Sequence, residues 1–367
     1  MKLPTLSEIT EEQFAVVEYS VDASILVVGP PGAGKTSMAI LRARLLISPE
    51  HRRSVVMVTR NRLLTSVAGQ LAKENQALIR TETMHSLVAG DYYQRFNAYV
   101  PQSRPFEFIW AAVLERYEKA GVRPHLDHLV IDEGQNLPIE FIQWAVRFGA
   151  KAVSLFADED QATLGRGSKV AEYHAAGFTA VLPLLINHRS TAEIVEFAEH
   201  FHRNRVIPRA AARRGGGFDR PWLIEAATWD DLANTVASRY ANRAEALGVI
   251  VFRKTEVTHL AALLRQRLGA TRVDSYTSDA DTGVEHAIRM RDNGVTVICG
   301  ESAIGLEFDT LYLQDLWRSL PPAQEVDYRR MYMLSARARD SLVLVNGPET
   351  LTEAQLASLP APPILDR

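Results

Sequence analysis

Four residues near the amino terminus have the types and spacing of a phosphate-binding loop. In the segment GPPGAGKT, four residues separate Gly29 from Gly34, and Lys35 and Thr36 follow directly. Backbone N–H groups of a glycine-rich turn can point at a phosphate, and the positive end of the following helix favours the same anion. A lysine here neutralises charge on the β- and γ-phosphates, and the threonine hydroxyl can bind Mg²⁺. The segment therefore predicts nucleotide binding.

An acidic pair predicts that the bound nucleotide is hydrolysed. Asp132 and Glu133 follow the apolar run of the segment LVIDEGQ, where a buried strand is expected to end. We expect Asp132 to hold the metal ion and Glu133 to polarise the attacking water. Two acids at a strand end can also serve only to cap a helix. The phosphate-binding loop upstream favours the catalytic interpretation.

Three polar residues further along are candidates for sensing the γ-phosphate. Gln161 lies in FADEDQATLGRG, Arg189 in LLINHRST and Arg337 in YMLSARARDSLVLV. A glutamine can hydrogen-bond a phosphate oxygen, and an arginine from a neighbouring domain can stabilise the charge of the transferred group. Taken alone, each arginine could instead be a surface ion-pair residue.

The elements that must position these residues alternate between apolar runs and helix-period segments. Runs rich in β-branched residues predict strands at 24–29, 54–59, 126–133 and 151–158, with helices between them, such as 36–47. This rhythm favours a parallel sheet covered by helices on both faces.

The same rhythm restarts after about residue 178. Further strands are expected at 179–184, 247–252, 294–300, 310–316 and 341–347. The predicted fold class is therefore α/β, with two doubly wound domains in tandem. We place them at 1–177 and 178–367, with a short helical insert at about 89–121 in the first domain.

The composition indicates a globular protein whose surface as a whole is not basic enough to bind nucleic acid. The chain has 367 residues, of which 47% are hydrophobic and 23% charged, and its net charge is -3. A nucleic-acid partner would therefore need a local basic groove. Cys299 is the one cysteine, the first residues lack a signal-peptide pattern, and no apolar run could span a membrane. We expect a cytoplasmic protein with no membrane partner.

The order of these segments resembles the UvrD/Rep-like family of superfamily 1 helicases over most of the chain. The segment around Gln13 is similar to the adenine-reading Q motif of that family, and GPPGAGKT to its motif I. The further matches, in the order of the family's motifs, are VMVTRNRLL (56–64), TMHSL (83–87), VIDEGQNLP (130–138), ADEDQ (157–161), INHRSTAEIVEFA (186–198), GLEFDTLYL (305–313) and YMLSARARDSLVLV (332–345).

The resemblance implies two RecA-like domains that bind ATP and Mg²⁺ between them and move along a single strand. It implies that Arg189 belongs to motif IV, that Glu307 contacts the ribose and that Arg337 is the arginine finger. The implied catalytic residues are Lys35, Glu133, Gln161, Arg189 and Arg337, and the implied metal-binding residues are Thr36 and Asp132. The implied nucleotide contacts are Gln13, Gly29, Pro30, Gly32, Ala33, Gly34, Lys35, Thr36, Ser37, His188 and Glu307.

The chain departs from the family pattern mainly where the family contacts nucleic acid. Ser37 and His188 replace the arginine and tyrosine that enclose the adenine, although a histidine can still stack on a base. The stretch ATLGRG lacks the aromatic residue that the family carries just before the position of Arg166. Glu301 and Ile304 replace the histidine and lysine that the family carries ahead of GLEF. A lost base–aromatic stack weakens binding by roughly 1–3 kcal/mol per base, so we expect weaker or differently built strand binding.

Two segments could compensate, and several functions stay open. The insert carries five aromatic residues that could stack on bases or simply pack: Tyr92, Tyr93, Phe96, Tyr99 and Trp110. The basic segment 203–221 could contact phosphates or be a solvated loop. We expect an ATPase that translocates on single-stranded nucleic acid, DNA rather than RNA. The alternatives are an ATP-driven switch in a larger assembly, for example with a nuclease in phage defence, and a module that only binds nucleotide.

Overall fold

The chain folds into two compact units. The first unit holds the chain through Gly29 together with Gly34–Leu184, and the second holds Pro30–Ala33 and Leu185–Arg367. The structure, a computed structural model, describes residues 3–5, 7–60, 62–74, 78–158, 170–203, 210–212, 219–281, 283–288 and 292–367.

A parallel sheet of six strands forms the centre of the first unit. Its strands, numbered in chain order, are β1 Ile25–Val28, β2 Val55–Thr59, β3 Arg80–Thr83, β6 Leu126–Ile131, β7 Ala150–Ala157 and β8 Val181–Pro183. Their spatial order is β3-β2-β6-β7-β1-β8. The apolar strands β2 and β6 are buried along nearly their whole length, as expected where helices cover both faces. Because the strands are parallel, β1, β6 and β7 end at one edge of the sheet, which the residues following them share.

Seven described helices belong to the first unit. They are α1 Glu11–Glu18, α2 Lys35–Ile47, α3 Arg62–Glu74, α4 Met84–Phe96, α5 Trp110–Lys119, α6 Ile139–Trp144 and α7 Val170–Ala175. Thr10 and Gln13 form a capping box that starts α1. Helix α2 starts at Lys35, and Gly34 at the end of the glycine-rich turn is its N-cap.

The insert predicted as helical at 89–121 also contains a small antiparallel hairpin. Strands β4 Gln102–Arg104 and β5 Glu107–Phe108 pair between α4 and α5. Three of the five aromatic residues predicted either to pack or to stack face the core, because Tyr92 is buried and Phe96 and Trp110 pack against the core cluster. Tyr93 and Tyr99 are 51% and 88% exposed. Packing therefore accounts for three of them and leaves two on the surface.

The second unit has its own six-stranded parallel sheet, in the order β11-β16-β15-β12-β14-β13. These strands are β11 Trp222–Glu225, β12 Ala246–Val251, β13 Val273–Tyr276, β14 Gly294–Cys299, β15 Phe308–Leu313 and β16 Ala338–Asn346. The short strands β9 Ile186–Asn187 and β10 Ala211–Ala212 pair separately. The described helices are α8 Ala192–Glu199, α9 Trp229–Asn242, α10 Lys254–Leu268, α11 Glu325–Ser335 and α12 Glu353–Ala357. The predicted fold class, α/β with two parallel sheets, is confirmed.

The strand predicted at 179–184 does not open the second sheet. This strand, β8, pairs with β1, so that Val27 lies opposite Leu182 in the first sheet. The rhythm of apolar runs marks a strand here but carries no information on which sheet edge it joins. The domain ranges 1–177 and 178–367 remain a prediction.

Within the part of the chain that the structure describes, no helix is both long enough and apolar enough to cross a membrane.

Candidate nucleotide-binding site

The glycine-rich turn between β1 and α2 has a backbone that only glycine adopts readily. Gly32 and Gly34 have φ angles of +78° and +88°, in the left-handed region. A side chain at Gly29 would collide with the carbonyl oxygen of Leu184. The first N–H groups of α2 have no acceptor within their own helix, which is the arrangement that binds phosphate.

Lys35, the first residue of α2, is buried with its ammonium group directed back over the turn. Its Nζ donates a hydrogen bond to the carbonyl oxygen of Gly29 at 2.7 Å. Asp158, which follows β7, accepts a second hydrogen bond from Lys35 Nζ at Oδ2, 3.4 Å away. The positive charge is therefore fixed beside the turn by a carbonyl and a buried carboxylate.

Thr36 and Asp132 meet at the adjoining strand end. Thr36 Oγ1 donates a hydrogen bond to Asp132 Oδ2 at 2.7 Å. Asp132 is buried, and among the described residues its other oxygen, Oδ1, has no hydrogen-bond partner. Burial, and then the charge of Glu133, raise the pKa of Asp132. A hydroxyl and an unpaired carboxylate oxygen are the hard oxygen ligands that Mg²⁺ takes, so these two residues fit that ion.

Glu133 has a strained backbone and a tightly held carboxylate. Its φ is +57°, which is uncommon for any residue except glycine and is typical of functional sites. Glu133 Oε2 accepts hydrogen bonds from Gln135 Nε2 at 2.6 Å and from Asn136 Nδ2 at 3.3 Å. Both of these contacts fall on Oε2 and none on Oε1.

Gln135 connects the Glu133 carboxylate to Asp158, the residue after β7 that contacts Lys35. Its Oε1 accepts a hydrogen bond from the backbone N–H of Asp158 at 2.9 Å. Lys35, Asp158, Gln135 and Glu133 therefore form one continuous chain of contacts within the first unit. We did not predict Gln135 or Asp158 as site residues. The sequence signal that could have identified Gln135 is its place two residues after the acidic pair in VIDEGQNLP.

Gln13 lies against the start of α2. A Cβ placed on Gly34 would be 2.9 Å from Gln13 Nε2, so the amide packs directly on the turn. Gln13 Oε1 also accepts the backbone N–H of Thr10 at 3.2 Å. Ser37, in the first turn of α2, is buried. Two residues assigned to adenine binding thus sit beside the phosphate-binding turn.

The second unit brings Arg189, Glu307 and the turn of Arg337 together. Arg189 forms an ion pair with Glu307 and donates a hydrogen bond to the carbonyl oxygen of Ala336 at 3.3 Å. Arg337 is buried, and its Nε donates to the carbonyl oxygen of Met333 at 2.9 Å. The carboxylate predicted to contact a ribose is therefore paired with a predicted γ-phosphate sensor.

Pro30–Ala33 group with the second unit and contact residues that follow β9. The backbone N–H of His188 donates to the carbonyl oxygen of Gly32 at 2.9 Å. A side chain at Gly32 would collide with the amide group of Asn187. Pro30 and Ala33 are buried, and the His188 side chain is half-buried.

Glu301 and Ile304, the two departures from the family pattern ahead of GLEF, differ in their surroundings. Glu301 pairs with Arg318 at 2.6 Å and with Arg330 at 3.3 Å, so the charge of this acid is balanced within the unit. Ile304 is buried.

Three of the sequence predictions fall partly or wholly outside the described residues. Gln161 and Arg166 lie there, and so does most of the basic segment 203–221.

The comparisons with known proteins find one family model that matches part of the chain and solved helicase structures of low sequence identity. Residues 12–165 match the family model described as "AAA domain". The C-terminal domain of a possible DNA helicase from Lactobacillus plantarum is 19% identical, with a TM-score of 0.35 over 49% of this chain and 97% of that chain. The helicase nonstructural protein 10 of an arterivirus, solved with DNA, is 14% identical, with a TM-score of 0.43 over 94% of this chain and 65% of that chain. A search of curated proteins finds no match.

Proposed function

We propose that the chain is a Mg²⁺-dependent ATPase that uses hydrolysis to move along single-stranded nucleic acid, with DNA favoured over RNA. One observation carries the ATPase part. Thr36 and Asp132 share a hydrogen bond, and the other buried oxygen of Asp132, next to Glu133, has no hydrogen-bond partner among the residues that the structure describes. The match of residues 12–165 to an AAA-domain model supports the same proposal.

The residues of the first unit divide the work of hydrolysis. The turn and Lys35 hold the phosphates, and Thr36 and Asp132 hold the metal ion, which supplies charge neutralisation when bound. Glu133 Oε1 accepts the proton of the attacking water as its oxygen bonds to the γ-phosphorus and the bond to the ADP oxygen breaks. Gln135 and Asn136 fix the opposite oxygen of Glu133 and thereby orient the carboxylate.

The residues of the second unit are assigned by their chemistry and by the resemblance of their segments. We assign Arg189 and Arg337 to the charge on the γ-phosphate, Glu307 to the ribose and His188 to the adenine. We give Gln161 a γ-phosphate contact as well. The ion pair between Arg189 and Glu307 supports a shared task, because it holds both side chains in one place.

A phosphate-release assay with and without single-stranded DNA or RNA tests the proposal. We expect turnover that depends on Mg²⁺, rises with single-stranded DNA and disappears in Lys35→Ala and Glu133→Gln. Turnover that these two variants leave unchanged would rule out the assigned site. Turnover that neither DNA nor RNA changes would rule out the translocase but keep the ATPase.

A second candidate is an ATP-driven switch subunit of a larger assembly, for example with a nuclease. The observation in its favour is that Glu301 forms ion pairs with Arg318 and Arg330. These ion pairs lie in the segment for which the resemblance implies a contact with nucleic acid. Turnover independent of nucleic acid, together with co-purification of a nuclease, would favour this function.

A further inference from the structure

Arg42 is a fully buried arginine on α2, the helix whose first residues are Lys35 and Thr36. Its Nη1 donates to the carbonyl oxygens of Val16 at 3.1 Å and Tyr19 at 2.9 Å. Its Nη2 donates to the carbonyl oxygen of Ser20 at 2.9 Å. These acceptors lie at the end of α1 and in the turn after it, where a helix leaves carbonyl groups without partners. The guanidinium thus fastens the end of α1 to α2.

The third guanidinium nitrogen of Arg42, Nε, begins a series of hydrogen bonds across the sheet. Arg42 Nε donates to Ser154 Oγ on β7 at 2.7 Å. Ser154 Oγ lies 2.8 Å from His128 Nε2 on β6, and His128 Nδ1 lies 3.1 Å from the carbonyl oxygen of Val21. Because a carbonyl only accepts, Nδ1 must carry the proton. In a neutral ring Nε2 then accepts from the Ser154 hydroxyl. Every bond in the series therefore has one possible direction.

Both ends of this series of hydrogen bonds bind the same segment of backbone, the end of α1 and the residues after it. Arg42 donates to the carbonyl groups of Val16, Val17, Tyr19 and Ser20, and His128 donates to that of Val21. At its other end α1 carries Gln13, whose amide packs on Gly34. Helix α1 is therefore fixed to α2 at both of its ends, and the position of Gln13 depends on both attachments.

We propose that Arg42, with Ser154 and His128, is a positioning residue that holds Gln13 against the phosphate-binding turn and so sets the preference for an adenine base. The proposal rests on the proposed ATPase function. Arginine suits the task because its planar fork presents several donors in a fixed geometry, whereas a lysine has a single ammonium group. Removing the fork frees the end of α1 but leaves the phosphate-binding residues of α2 in place.

The test compares binding of fluorescent ATP and GTP analogues to the full chain, as the ratio of the two dissociation constants. We expect the native chain to prefer ATP, and we expect Arg42→Lys to lower that preference about fivefold, the effect of roughly one lost hydrogen bond. Ser154→Ala should lower it less, because the bonds from Arg42 to the carbonyl groups remain. Arg44→Lys is the matched control, since Arg44 is exposed on the same helix.

A double variant separates positioning from simple destabilisation. Gln13→Ala should remove the preference for ATP, and adding Arg42→Lys should lower it no further, because both changes act through one side chain. A merely structural Arg42 would lower the melting temperature and leave the ratio of dissociation constants unchanged in the folded fraction, which would overturn the proposal. If Arg42→Lys does not fold, an unchanged ratio in Ser154→Ala overturns it instead. A native chain that binds neither nucleotide would refute the ATPase function, and the inference with it.

Discussion

Thr36 and Asp132 are joined by a hydrogen bond of 2.7 Å that links the first turn of α2 to the end of β6. The bond uses one oxygen of Asp132, and the other oxygen is buried without a hydrogen-bond partner in the described part of the chain. An unpaired buried carboxylate oxygen is unfavourable on its own. A metal ion beside the phosphate-binding turn would supply the partner that this oxygen needs.

Removing either partner of this bond should weaken the dependence of turnover on Mg²⁺. Thr36→Ala and Asp132→Asn should each raise the Mg²⁺ concentration for half-maximal hydrolysis about 10–100-fold, as changes around a metal site commonly do. The measurement is phosphate release over a Mg²⁺ titration. Thr235→Ala on α9 serves as the control. An unaltered titration curve in both variants would place the metal elsewhere.

Gln135 should matter for the chemical step and not for nucleotide affinity. Its amide holds Glu133 Oε2 and receives the N–H of Asp158, so Gln135→Ala should let the carboxylate rotate away from the water. We expect kcat to fall about 10–100-fold, a partial loss of the roughly 10²–10⁴-fold that a positioned general base contributes, with KM for ATP nearly constant. Steady-state kinetics check this, and Gln266→Ala, an exposed residue on α10, is the control. A higher KM with unchanged kcat would show that Gln135 acts on binding instead.

The pairing of Arg189 with Glu307 gives a test of the ribose assignment. Glu307→Gln keeps the size of the side chain but removes the charge that pairs with Arg189. If Glu307 binds ribose hydroxyls, the variant should raise KM for ATP about tenfold, as the loss of a hydrogen bond to a charged group would. It should leave KM for 2′,3′-dideoxy-ATP unchanged. An equal effect on both nucleotides would mean that Glu307 serves only to hold Arg189.

Local patterns predicted the position in the fold of the segments that lie close together in the sequence. The turn at Gly29–Gly34 and the acidic pair at Asp132 each follow a strand, β1 and β6, as the apolar runs before them indicate. The contacts that join distant segments were not predictable in this way. The link from Gln135 to Asp158 depends on β6 and β7 being neighbours, which periodicity does not reveal.

The same reasoning explains the missed features of the fold. Strands β4 and β5 have only three and two residues, too few to show the apolar alternation that marks a strand. In the sequence, Arg42 is only one more charged residue of the helix predicted at 36–47. Only the fold shows that carbonyl groups of a preceding helix surround its guanidinium.

The exposed aromatic residues of the insert should contribute to strand binding if the insert replaces the missing stacking residue. Tyr99 and Phe106 are 88% and 77% exposed, and Phe106 has a φ of +64° at the hairpin turn. Removing one base–aromatic stack should weaken affinity by about 1–3 kcal/mol, so Tyr99→Ala and Phe106→Ala should each bind labelled single-stranded DNA several-fold more weakly. Fluorescence anisotropy measures this, with Leu78→Ala as an exposed apolar control. Affinities equal to that of the native chain would exclude the insert from the strand path.

The buried His128 should make the first unit sensitive to acid. Burial, and then the charge of Arg42, lower the pKa of His128 to about 3 in the folded chain, from an ordinary value of 6.5. Since the unfolded chain binds the proton first, stability is lost as pH falls below about 6.5 and continues to fall towards pH 3. His128→Asn keeps a donor for Val21 and an acceptor for Ser154 but does not titrate. The melting temperature of the native chain should therefore fall more steeply than that of the variant between pH 6.5 and 4, measured by circular dichroism. Parallel pH profiles would show that folding does not lower the pKa of His128 and would contradict the prediction.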